Sequence, residues 1–154
     1  MPLKDKSAIQ KLLITALVAL FVIQLFSIDK TNPPIAESKD FYSTVEMPSD
    51  VQLMLKKSCN DCHSHNVAYP WYTNVEPISW WVKGHINAGQ QKLNFSTWND
   101  YSADKKNHKL EECIEVMEDK RMPLKSYTWM HKGTALNEAD REKLISFFRS
   151  AKNQ

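Results

Sequence analysis

Glycine is scarce in this chain, with three in 154 residues. No alternating apolar–polar run extends beyond a few residues either, and the two absences together argue against a strand-rich fold. Cysteine is equally scarce. There are three, two of them within one short motif, which excludes the disulfide framework of a small secreted domain. Charge of one sign is missing too: the formal net charge is +2, acidic and basic residues are interspersed, and no arginine-rich tract occurs. Neither nucleic-acid binding nor strong electrostatic steering is indicated. No internal repeat emerges, and the length suits one compact domain plus a tail rather than two full domains.

What is present is unevenly distributed. Apolar residues make up 42% of the chain, but many lie in the first thirty positions, so the rest is lean. A lean domain of roughly 100 residues buries a smaller share of its surface than a large one, a deficit that an apolar cofactor at its centre would offset. At the N-terminus, Lys4, Lys6 and Lys11 precede an apolar run from Leu12 to Phe26, broken by Thr15 and Gln24. Extended from Ala8 to Ile28, with Lys11 snorkelling, the run reaches the roughly 20 residues that span a bilayer. The following Leu25-Phe26-Ser27-Ile28-Asp29 offers no small-residue cleavage pattern. The expectation is therefore an uncleaved transmembrane helix within residues 1–28, with a cleaved signal as the alternative. The lysines would stay inside, placing the rest of the chain in the periplasm, anchored to the inner membrane. Residues 29–46, with Pro33-Pro34 and no visible period, read as a linker; a loop packed on the domain is the other reading.

Residues 47–152 read as an all-α domain with long, aromatic-rich loops. Ser49 is placed to cap a helix that carries Val51, Leu53, Met54 and Leu55 toward Cys59. Pro77 opens a second helix with the stripe Ile78, Trp81, Val82, His85, Ile86 and Gly89. A third helix runs from about Ser102 to Asp119, burying Leu110, Cys113, Ile114 and Met117. Asn137 with Asp140 marks the start of a last helix with Leu144, Ile145, Phe147 and Phe148 inside.

The chemistry is carried by Cys59-Asn60-Asp61-Cys62-His63, a Cys-x-x-Cys-His sequence and the attachment signal for haem c. Two cysteines three apart on a helical turn project to one side, where each can form a thioether with a haem vinyl group. The adjacent histidine then reaches the iron. A thioredoxin-like redox pair lacks its βαβ setting here, and a zinc site would have to conscript His65 and Cys113 at spacings unlike a finger. Cys113, on an apolar stripe, reads as a small buried hydrophobe.

An iron held by His63 alone would be open on its other face. Met122, followed by Pro123 on a loop before the last helix, is the leading sixth ligand, and methionine opposite histidine raises the reduction potential. His85 is the alternative distal ligand, with Met117, Met130 and His131 behind it. Trp71, Tyr72, Trp80, Trp81, Trp98, Tyr127 and Trp129 supply rings for a core, and some of them for haem walls. Arg121 and Lys125 are candidates to pair with haem propionates, while His65 and His108 read as exposed polar residues.

Cys59-Asn60-Asp61-Cys62-His63-Ser64, Tyr69-Pro70-Trp71-Tyr72, Pro77-Ile78-Ser79-Trp80-Trp81, Leu93-Asn94-Phe95-Ser96 and Met122-Pro123-Leu124 resemble the bacterial haem-binding domain family. These are small single-haem proteins similar to cytochrome c in a wide sense. The resemblance runs from about Val45 to Ser150 and implies a periplasmic haem module, found elsewhere fused to cytochrome c or di-haem peroxidase-like domains. It implies no defined reaction and no particular redox partner. The expected role is single-electron transfer by one covalent haem c near the membrane. The alternative is a gas or redox sensor with an exchangeable distal position. A peroxidase-like enzyme is disfavoured, because no distal acid–base pair can be named.

Overall fold

The computed structural model describes residues 6–152, and among these every regular element is helical. In chain order they are α1 (Lys6–Ile23), α2 (Phe41–Thr44), α3 (Ser49–Ser58), α4 (Asn60–His63), α5 (Ile78–Lys92), α6 (Ala103–Glu118), α7 (Lys125–Met130) and α8 (Glu138–Ala151). Short 3₁₀ turns cover Glu37–Lys39, Trp71–Asn74 and Phe95–Asp100. The described chain divides into two compact units, one of residues 6–31 with 69–85, the other of residues 32–68 with 86–152.

In the first unit, the expected membrane anchor is corrected. Among the described residues, no helix is long and apolar enough to cross a membrane. α1 begins at Lys6 and stops at Ile23, so its charge-free part, Leu12 to Ile23, is about 18 Å long at ~1.5 Å per residue. A bilayer core is about 30 Å thick. The residues expected to lengthen the span form turns instead, with Gln24, Leu25 and Phe26 N–H groups bonded three residues back. Gln24 then pairs with backbone: its Nε2 donates to the Glu76 carbonyl and its Oε1 accepts from the Glu76 N–H, both at 3.0 Å. Trp80 Nε1 donates to the Phe26 carbonyl at 2.8 Å. The expected inner-membrane anchoring, with a periplasmic domain hung from it, falls with the span. Lys4, one of the lysines assigned to the inner side, lies outside the described residues.

The second unit holds the larger core. α6 and α8 pack along each other, burying Leu110, Cys113 and Met117 from one side and Leu144, Phe147 and Phe148 from the other. Their ends follow the chemistry read from the sequence. Ser102 Oγ accepts from Lys105 N–H to cap α6, and Asn137 forms a reciprocal capping box with Asp140 at the start of α8. Exposed pairs Arg149–Glu118 and Lys152–Glu111 join the same two helices. Two details differ from expectation. Ser49 is the first residue of α3 rather than its cap, which is Pro48, and Leu53 points to solvent.

The stretch read as a linker contributes to this core. Asp40 accepts from the Tyr42 N–H and so starts α2, whose first residue, Phe41, has no exposed surface. The Phe41 ring sits 4.9 Å from that of Trp98 and 5.0 Å from that of Phe95. Edge and tilted geometries of this kind stabilise beyond what the buried ring area alone provides.

Candidate haem site

The Cys-x-x-Cys-His motif forms where two helices of the second unit meet. The Cys59 N–H closes α3 by donating to the Leu55 carbonyl at 2.9 Å. The backbone then leaves helical geometry at Cys59 (φ −126°, ψ −34°). It re-enters a helix at once, because the Cys62 and His63 N–H groups both donate to the Cys59 carbonyl, at 3.2 and 3.0 Å. One tight turn therefore carries both cysteines and the histidine.

Neighbouring side chains hold that turn on several sides. The Tyr42 hydroxyl donates to the Asn60 side-chain oxygen. Asp61 accepts from the Ala68 N–H at 3.0 Å and from the Tyr127 hydroxyl at 2.8 Å. Ser64 Oγ donates to the Asn60 carbonyl at 2.9 Å, and Gln90 Nε2 donates to the Ser64 carbonyl at 2.7 Å. The polar residues inside the motif are thus spent on fixing its shape.

His63 Nδ1 lies 3.1 Å from the Leu93 carbonyl. A carbonyl can only accept, so Nδ1 carries the hydrogen and Nε2 keeps its lone pair for another partner. Burial lowers the basicity of this imidazole and favours the neutral form that binds metal. Both motif thiols are shifted the other way. Cys59 faces a cavity, yet its sulfur is surrounded by protein, and burial followed by the neighbouring Cys62 pushes it up to about 12. Cys62 rises to about 11 through burial and then the Asp61 carboxylate.

The cavity has a volume of about 440 Å³ and lies within the second unit. Its apolar wall comes from Leu55, Leu93, Phe95, Val116, Met117 and Phe148. Cys59 and His63 line it, and so do Met122 and Pro123. Charged residues at the lining are already paired: Lys109 bonds Glu112 at 2.6 Å, and Arg121 bonds Glu115 at 2.6 Å and Asp119 at 3.0 Å. Lys92 also lines the cavity and is exposed. An apolar cleft of this size with few convergent polar groups is a ligand site in form. Its donors, a neutral imidazole and a thioether beside the cysteine pair, suit a porphyrin iron. The residues present fit haem.

The cavity joins Cys59, His63 and Met122; Cys62 is not among its lining residues but belongs to the same turn. His85 belongs to the first unit. Its Nδ1 donates to the Trp81 carbonyl at 2.9 Å and its ring lies 4.4 Å from the Trp81 ring. The stripe assigned to α5 is only partly buried, with Ile86 inside but Ile78 and Trp81 largely exposed. Cys113 is buried as expected and also lines the cavity, its thiol pushed up to about 12 by burial and then by Cys59. Among the described residues, no group of three or more His, Cys, Asp or Glu gathers to hold a metal ion, which sets the zinc reading aside.

None of the tryptophans or tyrosines proposed from the sequence lines the cavity; Phe95 and Phe148 do. Trp71 and Trp129 are among the most exposed side chains, while Trp98 belongs to the Phe41 cluster. His65 is half-buried rather than exposed, with Asn94 Nδ2 donating to its Nε2 at 2.9 Å. Sequence reasoning also missed the Leu93 carbonyl. Its only signal was the Leu93-Asn94-Phe95-Ser96 segment, in which Asn94 caps its own turn by accepting from the Ser96 N–H.

No curated protein and no solved structure matches the chain. The family model for the haem-binding domain matches residues 18–150, which takes in α2, the Cys-x-x-Cys-His turn, the cavity and most of α8. The chain belongs to the haem-binding domain family.

Proposed function

We propose that this protein holds one haem c and transfers single electrons. In this reading Cys59 and Cys62 would form the two thioethers, and His63 Nε2 and Met122 Sδ would hold the iron. The observation that carries it is the convergence of Cys59, His63 and Met122 on one apolar cavity. Bound haem supplies a one-electron couple at its iron. The chain's own residues do the rest. Leu93 fixes the His63 tautomer and ring orientation, the apolar wall excludes water, and the Tyr42, Asp61 and Ser64 bonds keep the attachment turn rigid. With both His63 and Met122 engaged, no donor position would be left for a substrate, which suits electron exchange better than catalysis.

The test is the visible spectrum of the purified holoprotein, oxidised and reduced, with and without carbon monoxide. A carrier gives low-spin spectra, a weak red absorption from iron–sulfur bonding, and little response to carbon monoxide. A high-spin ferrous spectrum that shifts at once on adding carbon monoxide would replace the carrier reading with that of a sensor.

A further inference from the structure

Resting on the reading of Met122 as distal ligand, the geometry points to Arg141 as the positioning residue for that methionine. Arg141 sits on the first turn of α8, half-buried, and no carboxylate forms an ion pair with it among the described residues. Its Nη1 points at methionine atoms instead. It donates to the Met122 carbonyl at 2.8 Å, lies 3.4 Å from the Met117 carbonyl, and is 3.9 Å from Met117 Sδ. Both methionines line the cavity. The neighbouring arginine shows the contrast: Arg121 is spent on Glu115 and Asp119.

The chain around Met122 explains why such a clamp matters. α6 ends at Glu118, and Lys120 takes the left-handed conformation (φ 56°) that turns the chain back. The Arg121 and Met122 N–H groups then share one acceptor, the Val116 carbonyl, at 3.0 and 3.4 Å. The second of these is long, so the Met122 backbone is held weakly from the α6 side. Arg141 supplies a short, charge-assisted bond from the α8 side. A methionine side chain has three rotatable bonds and does not place its own sulfur. Fixing the carbonyl at its base limits where Sδ can go. The same cation, bonded to two methionines that line the cavity, would disfavour the extra positive charge of oxidised iron and so raise the reduction potential.

The experiment uses full-length holoprotein with Arg141→Leu, Arg141→Gln and Arg141→Lys. Expected for Arg141→Leu are a diminished red iron–sulfur band, a lower reduction potential, and about tenfold tighter apparent binding of imidazole at the distal position. Arg141→Lys, which keeps the charge and one donor, should restore part of the band. If Arg141→Leu does not accumulate, Arg141→Gln is read by the same measures. Wild-type band, potential and imidazole affinity in the variant overturn the proposal, even if stability falls. Absence of the band from the wild type overturns the methionine reading, and this proposal with it, so the two failures are told apart by the unmutated protein.

Discussion

Gly89 of α5 meets the backbone of Cys62 so closely that a Cβ at this position would sit 2.3 Å from the Cys62 carbonyl oxygen. Ordinary carbon–oxygen contacts need more than 3 Å, and the neighbour is backbone in a clamped turn, not a flexible side-chain end. Gly89→Ala should therefore displace the attachment turn. The expected result is a loss of about 1–3 kcal/mol in stability by denaturant unfolding, with a lower ratio of haem to polypeptide absorbance. Unchanged haem content and midpoint would show that α5 can retreat freely.

Phe41 separates a linker from a core segment. Full burial among Trp98, Phe95 and Phe147 makes Phe41→Ala a large cavity mutation. It should cost about 3–5 kcal/mol, measured by urea unfolding. A cost within the range of surface substitutions would return residues 29–46 to the status of a tether.

Tyr127 tests the clamp on the motif's own carboxylate. Its hydroxyl donates to Asp61 at 2.8 Å, and Tyr127→Phe removes that donor while keeping the ring. A loss of about 1.5–3 kcal/mol by urea unfolding is expected for one bond to a carboxylate. The Ala68 N–H remains as a second partner of Asp61, so the fold should persist.

Thiol counting tests covalent attachment without any spectrum. The chain has three cysteines. If two carry thioethers, the unfolded holoprotein should take up a single maleimide label, at Cys113, and the apoprotein should take up three. In the folded state Cys113 should label slowly, because it is buried and its thiol is pushed up to about 12. Three labels on unfolded holoprotein would rule out thioether links.

Asp40 gives a pH dependence of defined sign. It caps α2 from a buried position, and burial raises its carboxyl above the ordinary value, outweighing the bonds from Tyr42 and Ser43. A carboxyl with a raised folded pKa favours the folded state while protonated, and that contribution is lost as pH rises from the unfolded value through the folded one. Asp40→Asn keeps the cap without the charge. Its melting temperature should exceed wild type at neutral pH, and the advantage should shrink toward pH ~3, below the ordinary carboxylate range. An advantage that grows on acidification would contradict this.

The sequence by itself determined the helical character, the Cys-x-x-Cys-His turn and the two best-marked helices, α6 and α8. Each rests on interactions among residues close in the chain: the Ser102 cap, the Asn137–Asp140 box, and a three-residue spacing on one turn. Family membership was legible for the same reason, since short segments carried it. What only the tertiary structure decided depends on distant partners. Phe95 rather than any tryptophan walls the cavity, because its turn is pinned by Asn94 and its ring meets Phe41. Gly89 looked like one more member of a helical stripe until Cys62 was seen against it. Gln24 looked like a blemish in an apolar span, but its amide found the Glu76 backbone, and α1 ends just before it. Arg141 had no local signal at all, because its partners, Met117 and Met122, lie a helix and a loop away in sequence.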